Sequence, residues 1–341
     1  MRLDRFLTLN LVQPMRHTLG GINALVTRHP SRATSLPVLM YHSISDDAEP
    51  GVRPYYRICT GPKRFREQMR WLKDNGYRGV TLNAGLAWLD SANPKQKSAI
   101  GNRQSEIGNS QPIAITFDDG FRDFYTAAFP ILSQHGFAAT MYLPTAFIGS
   151  PSSHSSPVTR HAFNGKDCLT WGEVRELHQA GIHFGSHSVT HPKLVDLDRL
   201  AVKNELCASK AEIEDHLGIG IDAFAYPYAF PGQNHDFVAE FTDLLQEAGY
   251  RSCTTTQIGK VSSGDNLLRL KRLPVNSDDD MNLLQAKLEG AYDWLALAQS
   301  SVKRMKNLVG SRRREKPVEL NGSRNLAVTG KYRNGPGPQI R

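Results

Sequence analysis

Cysteine is scarce in this chain, and long apolar runs are missing. The 341 residues include four cysteines, none of them in a C-x-x-C pair: Cys59, Cys168, Cys207 and Cys253. This spacing excludes a disulfide framework and a thiolate zinc site, so we expect reduced thiols. The N-terminal segment lacks the continuous apolar stretch of a secretory signal, and no later run approaches the roughly 20 residues that span a bilayer. We therefore expect a cytoplasmic protein.

Excess charge is confined to the C-terminal tail. The formal net charge is +8, but residues 301–341 contain eleven Lys or Arg and two Asp or Glu, a local net charge of +9. The first 300 residues hold 30 basic and 31 acidic side chains. Because the folded part is neutral and Tyr332 is the tail's one aromatic residue, we expect no nucleic-acid binding. Two interpretations of the tail stay open: a solvated extension, or a weak anchor that makes the protein peripheral to an anionic membrane or polymer.

One junction recurs along the chain, in which an amphipathic segment ends at a glycine and a strand-like run follows. It reads NGYRGVTL, HGFAATMYL, AGIHFGSHS and AGYRSCTT. Glycine suits the left-handed position just after a helix. Repeated helix–glycine–strand units are typical of an α/β fold with a largely parallel sheet, either a barrel or doubly wound. We also expect surface loops over 89–112 and 149–167 and a last helix within 281–310.

Local signals predict several helix ends. The TWGE stretch at 170–173 predicts a capping box, and Asp198 and Gly218 are expected to open and close another helix. The acidic run at 278–280 predicts a solvated helix start before Met281, where acids favour the helix dipole, rather than a metal site.

Two adjacent carboxylates, Asp118 and Asp119, end the strand-like run of AITFDDGF. Adjacent side chains on a regular strand point to opposite faces, so both acids can serve one pocket only if the backbone turns there. Gly120 permits such a turn. The pair is either catalytic or part of an ordinary loop, and spacing alone does not say which acid does which task.

A histidine pair, His187 and His191, follows another strand-like run in GSHSVTHPKL. The four-residue spacing lets two imidazoles converge on one ion, although chance alone produces such pairs among twelve histidines. In barrels and open parallel sheets, functional residues gather where the strands end. Two histidines and one carboxylate form a known catalytic zinc set that leaves a position open for water, and the second acid can then take a proton from that water.

A third strand end reads DAFAYPYAFPG, at 222–232. Its aromatic and proline residues suit the wall of a sugar-binding pocket, and backbone N–H groups near Tyr228 could face a developing oxyanion. The alternative is ordinary loop packing.

Taken in order, TFDDGF, SHSVTH and FAYPYAFPG resemble the first three motifs of the polysaccharide deacetylases, also called the NodB-homology family or carbohydrate esterase family four. LPVLMYHSIS and RFREQMRWLKDNGYRGVTL are similar to that family's N-terminal part. The resemblance implies a distorted (β/α) barrel and a hydrolase of non-peptide carbon–nitrogen bonds. We divide the chain into an N-terminal extension (1–35), a catalytic domain (36–300) and a basic, disordered tail (301–341).

The resemblance also implies roles for individual residues. Asp118 matches the general base and Asp119 the metal-binding acid, while His187 and His191 match the histidine ligands. The backbone amide of Tyr228 matches the oxyanion donor. The implied cofactor is a divalent ion, zinc, with cobalt or nickel as alternatives. Such an ion lowers the pKa of its bound water from about 15.7 toward about 7, and a nearby carboxylate can complete the deprotonation.

Three departures from the family pattern leave the proton donor unassigned. Ala225 stands where the family has an Arg that holds the catalytic acid, residues 233–280 contain no Trp, and Val275 stands where the family supplies a His. We hold two hypotheses: Arg272 replaces the charge of the missing Arg, and His42, at the end of the first strand, approaches the site.

The predicted function is metal-dependent removal of N-acetyl groups from an N-acetylglucosamine-type polysaccharide or oligosaccharide. The FAYPY version of the third motif resembles deacetylases of exopolysaccharide synthesis, which favours an acetylated exopolysaccharide as substrate. Alternatives are deacylation of a smaller or lipid-linked sugar or of an O-acetyl ester, and a degenerate barrel that binds glycans without turnover. The intact acid and histidine pairs argue against degeneracy. The native metal, the linkage and the oligomeric state stay open.

Overall fold

Parallel strands close into a barrel at the centre of the fold, in a computed structural model that describes residues 2–15, 35–91, 110–149 and 162–295. The strands of the described chain are β1 (Ser35–Leu36), β2 (Val38–Tyr41), β3 (Tyr77–Val80), β4 (Gln111–Phe117), β5 (Thr140–Leu143), β6 (Ala162–Phe163), β7 (Lys166–Asp167), β8 (His183–Ser186), β9 (Ala223–Ala225), β10 (Ser252–Ile258), β11 (Val261–Ser262) and β12 (Leu270–Pro274).

Seven of these strands form the barrel, in the order β2-β12-β10-β9-β8-β5-β4, and β4 pairs back to β2. Every pairing in the ring is parallel. An eighth strand, β3, pairs in parallel with the first half of β4, on the edge where β5 pairs with the second half. The predicted fold class, a (β/α) barrel with a parallel sheet, is confirmed.

Most of the helices lie between successive strands of the chain, as connections between parallel strands require. They are α1 (Leu3–Leu7, followed by a π-helical turn over Thr8–Val12), α2 (Pro62–Asp74), α3 (Leu82–Ser91), α4 (Phe129–His135, preceded by a π-helical turn over Phe124–Ala128), α5 (Trp171–Gln179), α6 (Arg199–Leu217), α7 (His235–Glu247) and α8 (Met281–Leu288). Among these described helices, none has the length and apolarity needed to cross a membrane.

The predicted helix ends are confirmed at α5 and α6. The side chain of Thr170 accepts a hydrogen bond from the Glu173 amide at 3.2 Å, and Glu173 accepts one from the Thr170 amide at 2.9 Å, which is a complete capping box. Asp198 caps α6, and Gly218 ends it in a left-handed conformation with φ 68°.

The register between β2 and β4 sets the position of the site. Tyr41 pairs with Phe117, so the next residues, His42 and Asp118, leave the two strands side by side. Tyr41 also stacks on Phe117, with 5.4 Å between ring centroids, and meets Phe65 of α2 edge-on at 5.2 Å. This buried aromatic contact holds the two strand ends and the covering helix together.

The hairpin of β6 and β7 corrects the expected loop over 149–167. Residues 162–167 form an antiparallel pair, and its turn residues Asn164 and Gly165 have φ values of 51° and 76°. Asn-Gly with two positive φ angles is the preferred two-residue hairpin turn. The Asn-Gly dipeptide therefore indicated a hairpin, although the polar composition of 149–167 suggested a loop. Residues 150–161 lie outside the described chain.

The other two expected boundaries shift by a few residues. Helix α3 continues to Ser91 and β4 begins at Gln111, so the loop expected over 89–112 is shorter at both ends, and its centre, 92–109, lies outside the described residues. The helix expected within 281–310 ends at Leu288, and residues 296–310 are not among those described. The described residues fall in one compact unit, Met1–Ser301. The predicted three-part division of the chain stays a prediction.

The acidic run before α8 is only partly as expected. Asp280 does cap the helix by accepting from the Leu283 amide at 3.0 Å, which confirms the helix start. Asp279, however, is buried instead of solvated, and it pairs with Lys287 at 2.7 Å and with Arg2 at 2.8 Å. The reason is tertiary: the N-terminal helix packs over this turn and removes it from water.

Candidate functional site

The candidate site lies where β4 and β8 end, with β5 between them. Asp118 and Asp119 follow β4, and His187 follows β8. Both Asp119 and Gly120 take left-handed backbone conformations, with φ values of 73° and 62°. This turn, which the glycine was expected to permit, begins one residue earlier than expected. It breaks the strand alternation and lets both acids reach one pocket.

Three side chains in this pocket offer ligand atoms to a common point: Asp119, His187 and His191. The Oδ1 atom of Asp119 lies 3.5 Å from Nε2 of His187 and 3.4 Å from Nε2 of His191. All three ligand atoms lie within 4.8 Å of one another, and all three side chains are buried. Neutral imidazole nitrogens and a carboxylate oxygen at such separations suit a divalent cation.

The hydrogen bonds around these atoms also fit a metal. His187 donates from Nδ1 to the carbonyl oxygen of Ala225 at 2.8 Å, in the tautomer that leaves a lone pair on Nε2. Burial lowers the pKa of His191 to about 4, so its ring is neutral at physiological pH. The buried Oδ1 of Asp119 has no hydrogen-bond partner in the described chain, and a cation would satisfy it. The residues present therefore fit a divalent ion.

Asp118 is held by Arg272, which is fully buried and comes from β12. The guanidinium donates from its two terminal nitrogens to the two carboxylate oxygens, each at 2.7 Å. It also donates from Nε to the carbonyl oxygen of Thr255 at 3.1 Å. Burial alone would raise the pKa of Asp118, but the positive charge of Arg272 holds that pKa well below its usual range. Asp118 is therefore an oriented carboxylate.

His42 also reaches this carboxylate. Its Nε2 lies 3.9 Å from Oδ2 of Asp118, and its side chain is about one-fifth exposed. Two neighbouring strands account for this contact, because His42 directly follows β2 and Asp118 directly follows β4. The structure thus brings Arg272 and His42, the two residues of our sequence-based hypotheses, to the same acid. Val275, which stands where the family has a His, is buried and apolar.

Tyr228 lies at the mouth of the site. Its backbone is left-handed with φ 58°, and about half of its surface is exposed. Its ring meets the ring of His191 edge-on, with 4.6 Å between centroids. The catalytic, oxyanion and metal-binding roles assigned from the sequence remain predictions.

Two residues of the site were missed from the sequence. Phe163, in the hairpin, packs against His191 with 4.9 Å between ring centroids. Asp123 binds the segment that follows His42, through Ser43 and Ile44. The Asn-Gly turn could have indicated the hairpin, and the third acid of DDGFRD could have indicated Asp123, but neither signal tells which segment lies opposite.

Comparison with known proteins finds similarity to deacetylases of polysaccharides. A family model described as "Polysaccharide deacetylase" matches residues 106–252. The chain is 28% identical over 246 residues to a putative polysaccharide deacetylase, YxkH, of Bacillus subtilis, covering 72% of this chain and 73% of that protein. It is 22% identical over 241 residues to a poly-β-1,6-N-acetyl-D-glucosamine N-deacetylase of Staphylococcus aureus strain N315, covering 67% and 72% of the two chains.

Solved structures share the fold. The deacetylase PplD of Streptococcus pyogenes, in complex with acetate, aligns with a TM-score of 0.57 at 24% identity, over 74% of this chain and 98% of that one. The putative polysaccharide deacetylase BA0330 of Bacillus anthracis aligns with a TM-score of 0.54 at 26% identity, over 74% and 68% of the two chains.

Proposed function

Since the chain carries a polysaccharide deacetylase domain and is a hydrolase of non-peptide carbon–nitrogen bonds, we propose that it removes N-acetyl groups from an N-acetylglucosamine polymer of the exopolysaccharide type, in a metal-dependent reaction. The observation that carries the proposal is the Asp119, His187 and His191 cluster beside the ion pair of Asp118 and Arg272. The substrate class is supported by the relative from Staphylococcus aureus, which is named for poly-β-1,6-N-acetyl-D-glucosamine.

Asp119, His187 and His191 would hold the ion. A ligand set of two imidazoles and one carboxylate favours zinc, with cobalt and nickel as alternatives. The ion would supply Lewis acidity, which polarises the acetyl carbonyl and lowers the pKa of water in the site.

Asp118 would accept the proton of the attacking water. Its charge-assisted bonds to Arg272 keep it ionised and fix its orientation, so it needs no rearrangement before it acts. The backbone amide of Tyr228 would donate to the acetyl oxygen as negative charge develops there. His42 would donate a proton from Nε2 to the leaving nitrogen. Val275, at the position where the family has a His, has no titratable group for this task.

Acetate release tests this proposal. We expect purified protein to release acetate from partially acetylated poly-β-1,6-glucosamine faster than from chitin oligomers or O-acetylated sugars. We expect chelator to stop the reaction and zinc, cobalt or nickel to restore it. Release from no glycan, combined with tight glycan binding, would instead favour a degenerate binding barrel. Faster release from an O-acetyl ester or a small sugar would favour the other enzymatic alternatives.

We also propose that the protein contacts an anionic membrane surface. The reason is that its N-terminal helix binds the domain through polar groups and leaves apolar side chains exposed. The helix binds the domain through polar groups: Asp4 accepts from the hydroxyl of Tyr292 at 2.6 Å, and Thr8 accepts from the indole N–H of Trp294 at 3.0 Å. Its exposed side is mostly apolar: Leu3, Phe6, Leu11 and Met15 have exposed fractions of 68%, 38%, 51% and 61%, and Asn10 is a polar residue exposed among them. The π-helical turn over Thr8–Val12 adds a residue to the helix, and this keeps the four apolar side chains on one face.

The basic charge of the C-terminal tail favours anionic lipid as the partner of this apolar face. The chain leaves the described region at Leu295, next to the residue that bonds to Thr8, and continues into residues 301–341 with their net charge of +9. A chain that combines exposed apolar side chains with a basic segment is typical of proteins that bind anionic lipid. The cytoplasmic location expected from the sequence stays a prediction.

Sedimentation with phosphatidylcholine vesicles, with and without phosphatidylglycerol, tests the membrane proposal. We expect the full chain to pellet with anionic vesicles, and we expect glutamine at Leu3, Phe6, Leu11 and Met15, or deletion of 301–341, to reduce that binding. Leu200→Gln with Ile219→Gln changes two exposed apolar residues elsewhere and serves as the control. Unchanged binding of the first variant, or a concentration-dependent dimer that this variant abolishes, would overturn the proposal.

A further inference from the structure

Asp123 reaches across the site to the segment that follows β2. It is the third acid of DDGFRD, four residues after Asp119, and it begins the π-helical turn before α4. Its Oδ2 accepts a hydrogen bond from the hydroxyl of Ser43 at 2.5 Å, and its Oδ1 accepts one from the backbone amide of Ile44 at 2.9 Å. One carboxylate therefore binds two successive residues of another loop.

Those two residues come directly after His42. On the other side of His42, the carbonyl oxygen of Tyr41 accepts a hydrogen bond from the amide of Asp118 at 3.0 Å. The loop of residues 118–123 thus holds the backbone on both sides of His42. Asp118, on the same loop, also lies close to the His42 side chain, with 3.9 Å between Oδ2 and Nε2.

Other bonds hold the Ser43 backbone, and the Asp123 carboxylate adds a restraint on the turn that follows it. Ser43 is tied to the chain at 58–60, because its amide donates to the carbonyl oxygen of Ile58 at 3.2 Å and its own carbonyl accepts from the amide of Thr60 at 2.9 Å. Those bonds fix the backbone of Ser43. The Ser43 hydroxyl and the Ile44 amide bind Asp123, and the Ser43 hydroxyl also lies 2.9 Å from the hydroxyl of Ser45. The two bonds to Asp123 restrain the direction in which the turn leaves His42.

We propose that Asp123 is a positioning residue for His42, and that it keeps Nε2 of His42 where it can protonate the leaving nitrogen. The inference rests on the proposed function. In the reaction, water adds its oxygen to the acetyl carbon and gives a proton to Asp118. The carbon–nitrogen bond then breaks as His42 gives its proton to the nitrogen, which leaves a free amine and acetic acid, and the acid then releases its proton to water and becomes acetate.

The size of the effect follows from the role. A positioned proton donor contributes about 10²- to 10⁴-fold to rate, and a displacement of about 1 Å can lower the rate about 10²-fold. We expect Asp123→Ala to lower kcat on an N-acetylated glycan about 10- to 100-fold with little change in KM. Asp123→Asn should recover most of the rate, because its amide can accept from Ile44 and donate to the Ser43 oxygen.

The test compares two leaving groups and two backgrounds. An N-acetylated glucosamine oligomer needs protonation of its nitrogen, whereas 4-nitrophenyl acetate releases a stable anion without it. We expect His42→Ala and Asp123→Ala to slow the oligomer and to change ester hydrolysis less than about twofold. We also expect Asp123→Ala to add no further loss on the oligomer once His42 is Ala, because residues that act as a unit are not additive.

Several results would overturn the inference. Asp123→Ala could slow ester and oligomer equally, cause no loss on the oligomer, or lower the rate by the same factor with and without His42. If Asp123→Ala does not fold, Ser43→Ala, which removes one of the two bonds, must show the same substrate dependence at smaller size. Wild-type protein that releases no acetate from any glycan defeats the proposed function itself, whereas an active wild type with additive losses defeats only the role of Asp123.

Discussion

Arg272 and Asp118 form a buried ion pair with two parallel hydrogen bonds of 2.7 Å, although 154 positions separate them in the chain. The pair exists because β12 and β4 both neighbour β2 in the barrel. Ala225, on β9, occupies the position where an Arg was expected, and its carbonyl oxygen instead accepts the bond from His187. The guanidinium that meets the acid therefore comes from a different strand.

Replacing Arg272 should damage both stability and activity. Arg272→Ala leaves the buried Asp118 carboxylate without its partner, and breaking a buried pair in this way typically costs about 3 to 5 kcal/mol. Arg272→Lys keeps a positive charge without the two-bonded geometry, so we expect an intermediate loss. Urea unfolding and acetate release measure the two effects. The double variant Asp118→Asn with Arg272→Met is the control, and it should regain stability but not activity. Equal stability of Arg272→Ala and wild type would contradict the buried pair.

Removing the His187 imidazole, a proposed metal ligand, should selectively abolish the affinity of the protein for the ion. We expect His187→Ala to lose the bound ion, measured by metal analysis of the purified protein, and to lose the rise in melting temperature that added zinc gives wild type. His183→Ala is the matched control, since His183 is an exposed histidine at the start of β8, the strand that His187 follows. Zinc that stabilises His187→Ala as much as wild type would show that the ion binds elsewhere.

The hairpin should matter to the metal site as well as to stability. Phe163→Ala removes a buried ring that packs on His191, so we expect a loss of about 3 kcal/mol and a weaker affinity for zinc in a competition titration. Phe237→Ala, on α7, removes a ring that packs on Phe241 and Tyr226, and it should lower stability with no change in zinc affinity. If both variants lower zinc affinity equally, the effect would be one of general destabilisation.

Attachment of the N-terminal helix should depend on pH through Asp4. Burial alone would raise the pKa of Asp4, but hydrogen bonds from Arg2 and Tyr292 hold it below its usual range. A carboxyl with a lowered folded pKa stabilises the fold above its unfolded pKa of about 3.9, and this contribution is lost as the pH falls through the folded value. We expect Asp4→Asn to destabilise the protein at pH 7 and to converge with wild type at acid pH, in urea titrations. A difference that grows as pH falls would contradict this.

Local signals in the sequence determined much of this molecule. The helix–glycine–strand junctions, the capping box at Thr170 and the cap at Asp198 depend on residues within about four positions of each other, and such neighbours stay neighbours in any fold. The two acids and the two histidines were recognisable as chemistry for the same reason, since each pair is contiguous or four residues apart.

Only the tertiary structure decided which distant groups meet. The contact of Arg272 with Asp118, the approach of His42, the packing of Phe163 on His191 and the burial of Asp279 depend on strand order and on which segment covers which turn. A one-residue change of register would reverse the direction of every side chain on a strand, so these contacts have no local signature. The chain's own sequence therefore determined the chemical groups and the local turns, while the closure of the barrel decided their partners.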